Sequence, residues 1–581
     1  MYAARMVHLH RKIKKGRPYY YVREIQRVDG KPKVVSQVYL GSVEAILARA
    51  QESKAGESVS RLKVEEFGSL FLAHELEKEI DTIGLIDSII PRDPRETGPT
   101  VGEFFFYAWA NRLVDPKSKL GLQEWYETSA IQSIRPMDLG ELTSQRYWAK
   151  WERVEQKHVE KIACEFFKRV WGKQPAPPES VLFDTTNYFT YMSSSNPSSL
   201  AKRGHNKDGK HELRQVGVGL LVDRARQLPL FYREYEGNVH DSKFFSGVID
   251  EAFATISSFN PTKERLTIVF DKGMNSDENM ARFDDNPRVH FVTTYSPLYL
   301  EELANTDLSE FQPVETRSHV DARGTSDQMS AFRTKVTLWG KERTVVVTHN
   351  PLLARKKALT MESKLATVRK KLLEFRKNYR ESKPQWQNPK AIEKRYEKFC
   401  SKLHIESECY RLEFGDRRCA PEMSFRKDDA AVRRCQALFG RNIIVTDNHD
   451  WTTTDIVQLS LDRVFIETQF RTSKNTHHVS MRPFHHWTDG KIRCQILTCV
   501  MALTMRRLIE LRVEEKLTRT THPLSGDEIL DSMRRLHSVL LWYPGRRTAE
   551  RQLETPTETQ REVLRAFGWE VLERGVLQRV A

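Results

Sequence analysis

The 581-residue chain predicts an α/β fold built on a mixed sheet, on three observations. Residues 180–294 alternate short apolar runs with helical patterning. Strands are expected at Ser180–Phe183, Gln215–Val222, Leu228–Tyr235, Leu266–Phe270 and His290–Thr294, with a helix over Asp241–Ile256 and another before His290. That rhythm belongs to a mixed sheet covered by helices. The Pro-rich run Pro175-Ala176-Pro177-Pro178 separates this region from a helical one before it. Finally, Val-Leu-Phe-Asp at 181–184 and Ile-Val-Phe-Asp at 268–271 each close an apolar run on a carboxylate.

The remaining elements follow in order. Residues 7–41 alternate like strands and are rich in Arg, Lys and Tyr, with Asp29-Gly30 as a hairpin turn between Tyr20–Val28 and Val34–Leu40. Residues 1–60 are therefore read as a basic β-hairpin module that binds DNA. Residues 61–175 form a helical N-terminal domain, as in Val64-Phe67-Leu70-Phe71 and Phe104–Leu113. Residues 176–296 are the first part of the sheet core, and after Ser296 its rhythm stops. Residues 297–445 read as an insertion domain: strand-like Lys335–Val347, a basic helical segment Ala354–Tyr379, and a strand at Asn442–Thr446. Within the helical segment Leu365, Val368, Leu372, Phe375 and Tyr379 recur at 3-4-3-4 spacing, the seam of a helix pair. Residues 446–515 return to the core. Thr452 with Asp455 makes a near capping box, starting the helix that carries Glu467, and an apolar helix follows over Asp489–Val513. Residues 516–581 read as a helical C-terminal region.

Composition narrows the partner. Ninety-three basic against 78 acidic side chains leave +15, and the excess is concentrated. Residues 1–33 contribute +8 and residues 355–402 contribute +11, so the rest of the chain carries −4. Such concentration fits a polyanion, of which nucleic acid is the usual one. Seven scattered cysteines with no Cys-x-x-Cys argue for a reducing compartment; Cys400, His404, Cys409 and Cys419 match no usual zinc spacing. The N-terminus lacks the apolar run of a signal peptide and no stretch is long enough to span a membrane, so a cytosolic protein is expected.

Residues 463–474, Arg-Val-Phe-Ile-Glu-Thr-Gln-Phe-Arg-Thr-Ser-Lys, carry the densest chemistry. At about 100° per residue, Arg463, Glu467, Arg471 and Lys474 share one side of a helix whose other directions are largely apolar. A carboxylate among three cations suits phosphoryl transfer on a polyanion. An ordinary salt-bridged helix face has the same pattern. Asp184 and Asp271, on adjacent strands, are able to share divalent metal with Glu467 as third ligand, although a lone Asp at a strand end is commonly a turn residue.

On these residues the chain resembles the DDE transposases of the insertion-sequence-4 superfamily, most closely its 1634-type branch. Arg463, Glu467 and Lys474 fit the last three positions of that family's Tyr-x2-Arg-x3-Glu-x6-Lys signature, and Ser460 stands at the Tyr position. Further matching segments are Phe183–Phe189, Gly217–Asp223 followed by Leu228-Pro229-Leu230, Gly237–Asp241, Asp271–Met274 and Arg482–Trp487. The resemblance implies a ribonuclease-H-like core with a large insertion, which suits 87 residues between Asp184 and Asp271 against 196 between Asp271 and Glu467. It implies Asp184, Asp271 and Glu467 as catalytic metal ligands for Mg²⁺, with Mn²⁺ as a substitute. Arg463 and Lys474 would hold terminal phosphates. Arg203, His205, Lys207 and Lys210, in a Gly-containing loop shortly after Asp184, read equally as a grip on the DNA backbone or as a solvated loop. Arg471 becomes a bystander or a cation that supports the site from behind its metal ligands. His485 and His486 read as orienting or core histidines, with metal ligation open; Trp339 and Trp386 read as packing residues, with base stacking open. The function implied is a transposase that binds terminal inverted repeats, cleaves the DNA ends and joins the 3′-OH ends to target DNA, as a homodimer on double-stranded DNA in the bacterial cytoplasm and nucleoid. The alternative is a catalytically silent DNA-binding relative acting as a regulator.

Overall fold

The computed structural model describes residues 6–14, 17–28, 31–52, 59–193, 195–206, 209–263, 265–297, 300–316, 328–417, 420–481, 484–517, 523–572 and 575–580. The chain opens on three antiparallel strands, β1 (Met6–Lys14), β2 (Arg17–Val28) and β3 (Lys31–Gly41), followed by a helix over Val43–Glu52. The expected hairpin is thus three-stranded, because residues 6–14 alternate as well and pair with β2 along their whole length. The Asp29-Gly30 turn lies outside the described residues. Residues Arg61–Glu66, expected to be helical, form strand β4. Helices then run over Gly68–Ile80, Thr82–Ile89, Val101–Val114 and Gln156–Trp171.

The core strands follow: β5 (Ser180–Thr190), β6 (Arg214–Asp223), β7 (Pro229–Glu236), β8 (Leu266–Phe270) and β9 (Val289–Tyr295), with a helix over Asp241–Phe259 between β7 and β8. Strands β10 (Gln312–Pro313), β11 (Ser330–Leu338) and β12 (Lys341–His349) precede the basic helix Pro351–Arg380 and its partner Pro389–Leu403. A hairpin of β13 (Tyr410–Arg417) and β14 (Ala420–Lys427) leads to β15 (Arg441–Thr446). Helices Thr453–Leu461, Val464–Ser473 and Asp489–Lys516 come next. The C-terminal part, expected to be helical throughout, also holds β16 (His537–Trp542), β17 (Glu550–Leu553), β18 (Trp569–Val571) and β19 (Leu577–Arg579).

The chain forms two compact units, Met1–Pro177 with Thr185–Val239 and Ile466–Ala581, and Pro178–Asp184 with His240–Phe465. The second unit is built on a large mixed sheet in the order β10-β11-β12-β15-β9-β8-β5. Strand β8 runs parallel to both β5 and β9, while β15 is antiparallel to β9 and β12. All five residues of β8 are buried, as expected of a parallel strand covered on both faces. The strand-like run Lys335–Val347 is the hairpin β11–β12, which reaches the central strands through β15. Its two-residue loop has Trp339 at φ +51° and Gly340 at φ +75°, the left-handed pair that a type I′ turn needs. Gly340→Ala places a Cβ on that backbone and is expected to cost about 1 kcal/mol in urea unfolding, with no loss of neighbouring contacts. Helix Pro351–Arg380 starts at an Asn350 cap with Pro351 in its first turn, and the predicted seam Leu365, Val368, Leu372, Phe375 and Tyr379 is buried.

In the first unit β4 is the edge of a three-stranded sheet in the order β17-β16-β4, pairing antiparallel with a strand more than 470 residues downstream. Local helical periodicity was overridden by that distant partner. The later residues of β5 continue beside β6, and β6 pairs antiparallel with β7. Helix Val101–Val114 is capped by a Thr100–Glu103 box and is buried on nearly every side, as is most of Asp489–Lys516. Among the described residues no helix is long and apolar enough to cross a membrane.

Candidate functional site

The register of the second unit's sheet brings the two aspartates together. In the parallel ladder β5–β8, Ser180 pairs with Thr267, Val181 with Ile268 and Leu182 with Val269, a constant offset of 87. Asp184 and Asp271 are separated by the same 87 residues, so they occupy one row, two positions beyond the last of these pairs. Asp271 keeps extended backbone at φ −87° and ψ 157°, so the alternation of side chains persists through it. Both carboxylates therefore lie on one sheet face, on strands spaced about 4.8 Å apart. The ladder β8–β9 extends the row: Phe270 pairs with Thr293, so Thr294 stands beside Asp271.

The residue before each aspartate faces the other way. Phe183 and Phe270 are fully buried in a cluster with Phe245, Phe283 and Phe291. Ring centres lie 4.8 Å apart for Phe183–Phe245, 5.1 Å for Phe245–Phe270 and 5.4 Å for Phe270–Phe283. This apolar packing anchors the strand ends and holds the carboxylates on the opposite face.

Asp271 is organised through one oxygen. Its Oδ1 accepts from the Lys272 backbone N–H at 2.8 Å, the Thr294 hydroxyl at 2.7 Å and Arg463 Nη1 at 3.1 Å. Among the described residues no donor reaches Oδ2. Burial raises the Asp271 pKa, but the Arg463 charge and these hydrogen bonds outweigh it, leaving the carboxyl below its ordinary range. Its folded-state value is depressed, so the associated stability is present above the unfolded value and is lost as pH falls through the folded one. Arg463 sits in the turn between helices Thr453–Leu461 and Val464–Ser473, its side chain 15% exposed and its Nε buried without a partner among the described residues. Helix Thr453–Leu461 packs on β9, β12 and β15 and delivers that turn. Asp184 is partly exposed on β5, which runs on to Thr190 rather than ending at the aspartate.

The stripe of residues 463–474 is divided differently from expectation. Thr452 caps its helix through the Asp455 N–H at 3.1 Å, but that helix stops at Leu461; Glu467 is on the next one. Arg463 precedes this second helix and Lys474 follows it. Glu467 and Lys474 belong to the first unit, whereas Asp184, Asp271 and Arg463 belong to the second. Glu467 is exposed in the first turn of its helix, and exposed Arg471 donates to Thr468 Oγ1 at 2.8 Å. Lys474 Nζ lies 5.7 Å from the centre of the Tyr188 ring. Ser460 lies in the helix Thr453–Leu461. Among the described residues no three His, Cys, Asp or Glu side chains form a group that could hold a metal ion.

Arg203 is exposed, Lys210 Nζ sits 5.1 Å over the Phe189 ring, and Lys207 lies outside the described residues. His485 is exposed with its ring 5.5 Å from Tyr191. Burial, then Lys119 and Arg112, push the His486 pKa well below its ordinary value, and neither ring nitrogen has a hydrogen-bond partner among the described residues. Trp339 packs edge-on against Phe291 and Tyr295, and Trp386 against Phe375. Buried Cys400 and Cys409 lie in the apolar core around the basic helix pair; Cys419 is outside the described residues. Sequence reasoning missed Thr294, whose only signal was its place at the end of the next parallel strand.

No family model matches the sequence, and neither does any curated protein. Among solved structures the chain is similar to a piggyBac transposase synaptic complex with hairpin DNA, determined by cryo-EM, at a TM-score of 0.36 and 9% identity over 82% of each chain. That likeness is too distant to carry an argument about this protein.

Proposed function

We propose that the protein is a transposase that binds the terminal inverted repeats of its insertion sequence, cleaves the DNA ends by metal-dependent hydrolysis and joins the 3′-OH ends to target DNA. The observation that carries this reading is the row Asp184–Asp271–Thr294, two carboxylates in register on adjacent parallel strands and on one sheet face. The parallel pairings of β5 with β8 and of β8 with β9, with the antiparallel β6–β7 hairpin, support a ribonuclease-H-like core. The 463–474 signature supports the insertion-sequence-4 assignment and its 1634-type branch.

The donor set fits Mg²⁺, with Mn²⁺ as a substitute: hard carboxylate oxygens, one of them Asp271 Oδ2, with no donor aimed at it among the described residues. Such cations, when bound, lower the pKa of an attacking water and stabilise the departing 3′ oxygen. Glu467 is the proposed third ligand. Arg463 holds Asp271 through Nη1, keeps it ionised and offers Nη2, not the buried Nε, to a terminal phosphate. Lys474 is the second phosphate contact, as a point charge, and Arg203, Lys207 and Lys210 grip the backbone. The active complex is a homodimer on double-stranded DNA, in the bacterial cytoplasm and nucleoid.

The test is cleavage and joining by purified protein on a plasmid carrying the inverted repeats that flank its reading frame. Nicks at the repeat ends in Mg²⁺, none in EDTA, and 3′ ends joined to a second DNA are the expected result. Binding to the repeats without cutting in Mg²⁺ or Mn²⁺ would favour the silent regulator. Cutting without end specificity or joining would make the protein a nuclease of another type.

A further inference from the structure

The three-stranded N-terminal sheet has two unlike faces. On one, Tyr20 is only 6% exposed, and Leu9, Arg11 and Tyr20 line a cavity of about 320 Å³ with Val64, Asp115 and Trp125. That face is turned toward the body of its own unit. The opposite face follows from the register, since directly paired residues share a side. Its rows are Lys14 with Arg17, Lys12 with Tyr19, His10 with Tyr21 and Tyr39, and Arg23 with Gln37. Lys12, Lys14, Arg17, Gln37 and Tyr39 are exposed, and none of the described side chains on this face is acidic.

The arrangement has order. Cations stand at the start and the middle of β2, Arg17 with Lys14 and Lys12 at the first and Arg23 at the second, about 20 Å apart along six residues of strand. Between them lie hydrogen-bonding groups, the His10 imidazole and the Tyr19, Tyr21 and Tyr39 hydroxyls, with the Gln37 amide beside Arg23. Arg23 Nε donates to Gln37 Oε1 at 2.7 Å, which fixes the amide. The tyrosine rings pack on one another, with centres 5.1 Å apart at 47° for Tyr21–Tyr39 and 6.2 Å at 33° for Tyr19–Tyr39. Rings committed to each other are not laid out singly as platforms for unpaired bases.

We propose that this face docks on double-stranded DNA, Lys12, Lys14, Arg17 and Arg23 on the phosphates that border a major groove and the intervening tyrosines, His10 and Gln37 toward the base edges. A major groove about 12 Å wide admits β-strands, and phosphate contacts set orientation while groove contacts carry sequence preference. The inference rests on the reading that the protein acts on DNA and is independent of its catalytic residues.

The test is equilibrium binding by the full-length chain in EDTA, so that no cleavage intervenes. The probes are a 40-base-pair duplex from the end of the flanking inverted repeat, a scrambled duplex and a 40-nucleotide oligo-dT. The exposed triple variant Lys12→Gln/Lys14→Gln/Arg17→Gln is expected to reduce the slope of log affinity against log salt by about 2.7, roughly 0.9 for each lost phosphate contact. Tyr39→Phe keeps the ring packing and removes one hydroxyl; a roughly tenfold loss of preference for the terminal over the scrambled duplex is expected. Unchanged duplex affinity and salt slope in the triple variant, with an unchanged melting temperature, overturn the proposal. So does a loss confined to oligo-dT. Wild-type protein that binds the duplex through this face but never cuts it leaves this inference standing and removes the catalytic reading.

Discussion

Asp271→Asn is expected to abolish Mg²⁺-dependent cleavage while the protein stays folded and bound to DNA. The substitution keeps the shape of the side chain and an oxygen able to accept from Lys272 N–H and Thr294, but removes the charge a divalent cation needs. The loss should reach at least about 10³-fold, some 4 kcal/mol of transition-state stabilisation. Thr294→Val supplies the internal scale: it removes only the hydroxyl supporting Oδ1, so a fall of about 10- to 100-fold is expected, as for an outer-shell partner. Stability should change by less than about 1 kcal/mol in Asp271→Asn, because the Arg463 pair it weakens is partly solvated, with Asp271 39% exposed. Single-turnover cleavage, duplex binding and urea unfolding check the three statements. Cleavage by Asp271→Asn at the wild-type rate would remove Asp271 from the metal site.

One position earlier the outcome reverses. Phe270→Ala is expected to cost about 3–5 kcal/mol of unfolding free energy, since a fully buried ring is deleted from a cluster that touches Phe245, Phe283 and Phe291. Adjacent residues on one strand thus divide into a stability role and a chemical one by the alternation of side chains alone. Urea unfolding of the variant measures the first. A change below about 1 kcal/mol would mean that the aromatic layer does not anchor the strand ends as described. Phe270→Leu, which keeps most of the volume, should recover much of the loss and so separates packing from aromaticity.

Much of the core was legible because its signals are local. The run Leu266–Phe270 matches β8 residue for residue, and β6, β7, β9 and β15 differ from expectation by no more than one residue at either end. A buried parallel strand must be apolar throughout and is short, so the sequence announces it. The seam of the basic helix was equally plain. Misreadings occurred where the deciding partner is remote. Strand β4 carries mixed local signals and becomes a strand only against β16. The break between helices Thr453–Leu461 and Val464–Ser473 falls at Asp462-Arg463, with no Gly or Pro to mark it.

What the sequence by itself determined is the chemistry available: aspartates closing the runs Val181–Phe183 and Leu266–Phe270, Glu467 between Arg463 and Lys474, and basic segments suited to a polyanion. What only the tertiary structure decided is which groups meet. The 87-residue spacing became meaningful when it proved to be the register offset of β5 on β8, a property of a ladder between strands far apart in the chain. Thr294 and Arg463 converge on Asp271 Oδ1 for the same reason. Hydrogen-bond register and packing are pairwise between distant segments, and one linear pattern records only one member of each pair.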